Sequence, residues 1–320
     1  MSQISPENPL PMAASTAIRP EQDAAATAEM CMATPQIEMF FDSASETFSY
    51  VVYDHVGGCA VIIDPVLDFD AAAGVLYNDH AERMVAFLNA QQLQLQYILE
   101  THAHADHISA GSYLKARCGG LLAIGAGIVE VQQHFSQVFA ITPPLGNHRQ
   151  PFDLLLHDGD CLQVGQLTID ILHTPGHTPA DVSYLVNKTA LFVGDTLFAP
   201  DVGTARCDFP SGDAATLYQS IQRILALPPQ TQIYLCHDYP KAGRDYQYKT
   251  TVIAEKMQNI HVQHGISAEQ FISMRRARDA TLSMPKLMLP AIQLNINAGL
   301  LPYRDGDFLR LPLQQRFHHL

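Results

Sequence analysis

Basic residues are scarce in this chain of 320 residues: 19 Lys and Arg stand against 32 Asp and Glu, for a formal net charge of -13. Such an acidic excess argues against a nucleic-acid surface and against attachment to anionic lipid, and an anionic substrate would need a local cluster of cations. Cysteines are few as well. Cys31, Cys59, Cys118, Cys161, Cys207 and Cys236 form no C-x-x-C pair and are too sparse for a disulfide framework, which fits a reducing compartment such as the bacterial cytoplasm. No apolar run reaches the roughly 18 residues of a membrane-spanning helix, and no short-period repeat is present. The opening stretch, rich in Ala, Pro, Ser and Glu, lacks the apolar core of a secretory signal and the basic bias of a transit peptide. Residues 1–33 read as a disordered tail, and residues 34–320 as a single domain with a helical C-terminal extension.

What is abundant is metal-ligand chemistry in one place. Thr101-His102-Ala103-His104-Ala105-Asp106-His107 follows the apolar run Tyr97-Ile98-Leu99, a buried strand. Imidazoles and carboxylates are the usual ligands of first-row metals, so a metal at the end of a strand is expected, with a helix starting at Asp106. Three further candidates each follow an apolar strand: His177 in Pro175-Gly176-His177-Thr178, Asp195 in Val193-Gly194-Asp195, and His237 in Cys236-His237-Asp238-Tyr239. A lone His or Asp after a strand is most often a turn residue, but the repeated placement makes a shared site the better reading. Around these, β-rich runs break at Gly57-Gly58 and Asp64-Pro65. Helices are expected over 79–93, 106–117, 128–139, 214–225, 251–258 and 268–280, followed by a Pro-punctuated tail. Two β-rich halves, each followed by helices, suggest two sheets packed face to face with helices outside.

The full set, H-x-H-x-D-H followed by P-G-H-T, G-D and a late His, resembles the metallo-β-lactamase superfamily from about Ile37 to about Tyr239. The resemblance implies an α+β fold, an αββα sandwich of two mixed sheets with the metal site along one edge. Within that superfamily the chain is most similar to the persulfide dioxygenases, through Thr101 to His107, Thr204-Ala205-Arg206-Cys207-Asp208-Phe209, His237-Asp238-Tyr239 and Leu294-Asn295-Ile296-Asn297-Ala298-Gly299. Glyoxalase II sequences usually carry a bulky aromatic where Ala105 stands, and many persulfide dioxygenases have Thr where Cys207 stands.

Carried over position by position, this resemblance implies that His102, His177 and Asp195 hold one Fe(II), leaving open positions for a substrate sulfur and O2. The expected reaction oxidises glutathione persulfide, or a similar low-molecular-weight persulfide, to sulfite and glutathione. His104, Asp106, His107 and His237 would then form a hydrogen-bonded surround; in the hydrolase branch the same residues would complete a two-zinc glyoxalase II site. A metal-bound sensor without turnover gains no support from a complete ligand set. Asp238, Tyr239 and Arg206 are further catalytic candidates. Arg206 either positions substrate at the edge of the site or pairs with Asp208 or Asp201. Tyr239, Lys241, Arg244 and Lys286, with Arg206, are the candidates for holding the two glutathione carboxylates. Cys207 reads either as a thiol activated by Arg206 or as a small buried residue. His80, His134, His148, His261, His264, His318 and His319 have no companion ligands and read as background. A homodimer is compatible with the sequence.

Overall fold

The computed structural model describes residues 34–146, 149–241, 243–303 and 308–312. The tail expected over residues 1–33, and His148, His318 and His319, lie outside the described residues. In chain order, β1 (Gln36–Asp42), β2 (Thr47–Tyr53) and β3 (Cys59–Ile63) form an antiparallel meander, followed by the hairpin of β4 (Val66–Asp70) and β5 (Val75–Tyr77) and by α1 (Asp79–Ala90). Then come β6 (Gln94–Glu100), β7 (Ile108–Ser109), α2 (Gly111–Cys118), β8 (Leu121–Gly125), α3 (Ile128–Val138) and β9 (Leu154–Leu156). The second half runs β10 (Cys161–Val164), β11 (Leu167–His173), β12 (Val182–Val186), β13 (Ala190–Phe192), α4 (Ala214–Leu225), β14 (Gln232–Tyr234) and β15 (Lys249–Thr251). It closes with α5 (Val252–Gln258), α6 (Ala268–Asp279) and α7 (Met288–Asn295). Among the described residues, no helix is long and apolar enough to cross a membrane.

Two mixed six-stranded sheets result, ordered β1-β2-β3-β6-β8-β9 and β10-β11-β12-β13-β14-β15. Side-chain alternation along β2 shows how they stack. Phe48, Tyr50 and Val52 share a core with Ile169, Ile171, Tyr184 and Phe192 of the other sheet. Val51 belongs instead to the core formed with Met84, Val85 and Leu88 of α1. A strand covered on both faces can be apolar throughout, and six of the seven residues of β2 are buried. On the far side, Leu217, Ile221 and Ile224 of α4, spaced as one helical face, pack with Leu172, Leu185 and Leu191 of the second sheet. The Asp213 side chain accepts from the Thr216 amide and fixes where that helix starts. Helices therefore cover both outer faces, as the αββα expectation requires.

Local departures have local causes. The helix expected from Asp106 begins at Gly111, because the Asp106 carboxylate is engaged by His107 and His237 and does not cap, while Ile108–Ser109 pairs with β4. The tail beyond residue 280 contains α7, whose Pro290 sits in the first helical turn, where a missing amide hydrogen breaks no intrahelical bond.

Glu255 of α5 is fully buried, and burial pushes its carboxyl up to about 8 although Asn259 donates to it at 2.6 Å. The folded chain therefore keeps a proton that the unfolded chain, with an ordinary value of 4.5, releases, so folding stability falls as pH rises from about 4.5 through about 8. Glu255→Gln is expected to abolish this slope, raising stability at pH 7 by on the order of 3 kcal/mol and leaving it nearly unchanged at pH 4. Urea denaturation of both proteins at the two pH values checks this; equal differences at both would refute it.

Candidate metal centre and cleft

All the candidate ligands follow the C-terminal ends of strands. Residues 101–107 leave β6, His177 follows β11, Asp195 follows β13 and His237 follows β14. Two glycines let these loops close together. Gly194 has φ 53°, and a Cβ there would lie 2.5 Å from Thr101 Oγ1; at Gly176, φ 140°, it would lie 2.4 Å from the Leu217 backbone. Side chains at either position would separate the Asp195 and His177 loops from their supports.

Asp64, at the turn after β3, organises the histidine loop from beneath. Its carboxylate accepts from the Thr101 amide at 2.7 Å and from Thr101 Oγ1 at 3.0 Å. Thr101 Oγ1 in turn accepts from His102 Nδ1 at 3.0 Å, and His104 Nε2 donates to Asp64 at 3.0 Å. This network assigns the tautomers, leaving lone pairs on His102 Nε2 and His104 Nδ1. His177 is fixed likewise, its Nδ1 donating to the Arg206 carbonyl at 2.7 Å. Burial, reinforced by His104 and His177, holds the His102 imidazole well below its usual value and so neutral. Burial also opposes charge on His104, but Asp64 and Glu100 outweigh it and push this imidazole well above its usual value, so its Nδ1 lone pair is one that a metal would have to win from a proton.

The chain's own polar atoms do not satisfy one another here. His102 Nε2, His104 Nδ1, His107 Nε2, His237 Nε2 and Asp195 Oδ1 are buried without hydrogen-bond partners. Each such atom costs roughly 1–3 kcal/mol, so five converging lone-pair donors fit a metal and little else. They fall into two groups. The ligand atoms of His102, His177 and Asp195 lie within 4.8 Å of one another, and so do those of His104, Asp106, His107 and His237. Asp195 Oδ2 stands 3.9 Å from His102 Nε2 and 3.7 Å from His177 Nε2, and Asp195 Oδ1 stands 3.4 Å from His237 Nε2. Asp106 Oδ2 lies 3.1 Å from His107 Nδ1 and 3.3 Å from His237 Nε2. Burial raises the Asp106 carboxyl, but His237 and His107 outweigh it and hold the group well below the usual range.

A cleft of about 310 Å³ opens beside these residues, with Ala105, Asp106, His177, Asp195, Arg206 and Tyr239 on its walls. Tyr239 stacks on His237, ring centroids 5.9 Å apart. The expected basic patch needs correcting. Arg244 is spent: its guanidinium grips Asp238 through two bonds of 2.6 and 2.7 Å and Asp201 at 3.0 Å. Asp238 itself is fully buried in that pair and absent from the cleft wall, which makes it a brace and removes it from the catalytic candidates. Lys241 and Lys286 are exposed and do not line the cleft either.

Arg206 lies on the cleft wall but is committed to Asp208, through Nε and through Nη2 at 2.6 Å, and to the Ser283 carbonyl at 2.6 Å. The ion pair with Asp208 is therefore the reading that geometry favours, and the residue's nearest link to the metal centre is its carbonyl on His177. Arg206→Lys, which loses the planar fork, is expected to lower stability by about 0.5–1 kcal/mol and to reduce metal retention with it. A variant that melts as wild type with full metal content would contradict the brace. Cys207 is buried, its amide donating to Asp279 at 2.9 Å, and burial pushes its thiol far above the usual range, so the reactive-thiol reading falls away.

Sequence reasoning missed several supports. Asn295, at the end of α7, donates to the carbonyls of His104 and His107, both at 2.8 Å, and accepts from the Ser109 amide at 2.9 Å. His261, read as background, accepts from the Thr204 amide at 3.0 Å behind the cleft loop. Arg275, 1% exposed, bonds the Thr204 carbonyl at 3.1 Å and Asp279 at 2.5 and 2.9 Å. The only sequence signal for any of these was the stretch Leu294 to Gly299, one of the four that carry the resemblance.

A family profile described as "Metallo-beta-lactamase superfamily" matches residues 44–237, and the chain belongs to this superfamily. A probable metallo-hydrolase of Burkholderia pseudomallei is 46% identical, over 87% of this chain and 98% of that protein. Glyoxylase B2 of Dictyostelium discoideum is 39% identical, over 87% of this chain and 97% of its own length. The human mitochondrial persulfide dioxygenase ETHE1 is 27% identical, over 82% of this chain and 88% of its own length. Among solved structures, ETHE1 from Myxococcus xanthus superposes with a TM-score of 0.66 at 31% identity, covering 83% of this chain and all of the other.

Proposed function

We propose that this chain is a mononuclear non-haem iron persulfide dioxygenase that converts glutathione persulfide, O2 and water to glutathione and sulfite, in sulfide detoxification. The observation that carries this reading is the contrast between the two groups of ligand atoms. His102, His177 and Asp195 surround one point at separations of 3.7 and 3.9 Å with no hydrogen bond among them, whereas Asp106 is bound at 3.1 Å to its neighbour His107. The similarity to two proteins named ETHE1, one of them a persulfide dioxygenase, adds support.

Two imidazoles and one carboxylate on one face suit Fe(II), which when bound supplies open positions where a sulfur anion and O2 meet. The rest falls to the chain. Asp64 and Thr101 hold His102 with Nε2 inward, and the Arg206 carbonyl does the same for His177. The Asp106, His107 and His237 cluster can take and return the protons that water addition to sulfur releases. Ala105 leaves room on the cleft wall beside them, and Tyr239 covers His237.

A two-zinc thioester hydrolase of the glyoxalase II kind is the second reading. The unpartnered Nε2 atoms of His107 and His237, with Asp195 reaching toward both groups, favour it, as does the name glyoxylase B2 on one relative. Iron and zinc measured per chain in anaerobically purified protein, together with O2 uptake on glutathione persulfide, decide between them. About one iron with O2 uptake and sulfite release is expected. Two zinc ions and hydrolysis of an acylglutathione would overturn the iron reading.

A further inference from the structure

Three arginines reach the cleft, and two are already neutralised. Arg206 is held by Asp208, and Arg275 is buried against Asp279. The third, Arg278, is exposed on the cleft wall, and its guanidinium makes no hydrogen bond or ion pair among the described residues. It lies on α6 three residues after Arg275, so both project from neighbouring turns of one helix face. The bonds of Arg275 and Asp279 to the Thr204 carbonyl and the Cys207 amide tie that part of α6 to the cleft loop. Arg278 is thus carried by a backbone held in place and has a free charge to offer. With a net charge of -13, and with Asp106 and Asp195 on the same walls, no other Lys or Arg among the described residues lining the cleft is left unpaired to attract an anion away from the metal centre.

We propose that Arg278 is the anion anchor of this cleft, a specificity-determining residue that holds a carboxylate of the thiol substrate while the sulfur end reaches the metal centre. The substrate class is then a small anionic thiol derivative, and neutral or esterified thiols of the same size are discriminated against. A planar guanidinium donates two parallel bonds to a carboxylate, which fixes the orientation of the ligand as well as its presence. This rests on the persulfide dioxygenase reading for the sulfur end only.

The test uses metal-loaded full-length enzyme and two inert probes, S-methylglutathione and its diethyl ester, titrated calorimetrically into wild type, Arg278→Gln and Arg278→Lys. Wild type is expected to prefer the diacid, increasingly so as salt is lowered. Arg278→Gln should bind the diacid about tenfold more weakly or worse and the ester equally well, with Arg278→Lys in between; metal content and melting temperature should hold. Equal binding of the diacid by wild type and Arg278→Gln, an equal loss for the ester, or no wild-type preference for the diacid would each overturn the anchor. O2 uptake on glutathione persulfide separates this from the chemistry. Arg278-dependent binding without wild-type O2 uptake would sink the dioxygenase reading and keep the anchor, and the reverse pattern would do the opposite.

Discussion

Asp195→Ala is expected to lose its metal and its activity together while the fold survives. Asp195 is the only carboxylate in the group with His102 and His177, and its two oxygens face different histidines, so no neighbour can substitute for it. Loss of a residue that merely orients a ligand typically costs ~10–100-fold, and loss of a ligand itself should exceed that. The two sheets and their helices pack through large apolar cores that include none of the candidate ligands, unlike a small zinc module that unfolds without its ion. Metal analysis beside a thermal melt checks both halves. Wild-type iron occupancy in the variant would make Asp106 the carboxylate to test next.

The second large effect is on stability. Arg275→Met strands the Asp279 carboxylate, a group of 7% exposure, and leaves the Thr204 carbonyl without its donor. Breaking one side of a buried ion pair costs about 3–5 kcal/mol, which in a chain of this size lowers the melting temperature by roughly 5–15 °C. Adding Asp279→Leu should recover part of the loss by removing the stranded charge, but not all of it, because Asp279 also receives the Cys207 amide at 2.9 Å. Calorimetry on the single and double variants measures this directly. A single variant that melts as wild type would show that the pair is dispensable.

How far the sequence could be read depended on how local each signal is. The His102 to His107 cluster is visible because its ligand types crowd into seven residues, and each later ligand is marked by the apolar strand before it. Asp64 passed for an ordinary turn residue. Its contact with His104 spans 40 positions, and its backbone at φ 48° is a conformation that its side-chain bonds help to hold. The cations failed for a different reason. Availability is decided by whatever neutralises a charge after folding: Arg244 looked free until the chain brought Asp238 and Asp201 to it, whereas Arg278 sits in a basic run typical of a solvated helix face. Helix α7 was hidden because a proline in a first turn and a proline that breaks a helix are spelled the same way.

The grip of Asn295 on the His104 and His107 carbonyls also bears on the order in which the protein is made. Asn295 is translated 188 residues after His107, so a ribosome displays the whole histidine loop long before the clasp that shapes it exists. During that interval the nascent chain carries His104 and His107 without the two bonds that Asn295 makes to their carbonyls. The clasp therefore forms only after α7 has been made, and a chain cut short before α7 is expected to carry the right ligands in a loop that Asn295 does not hold.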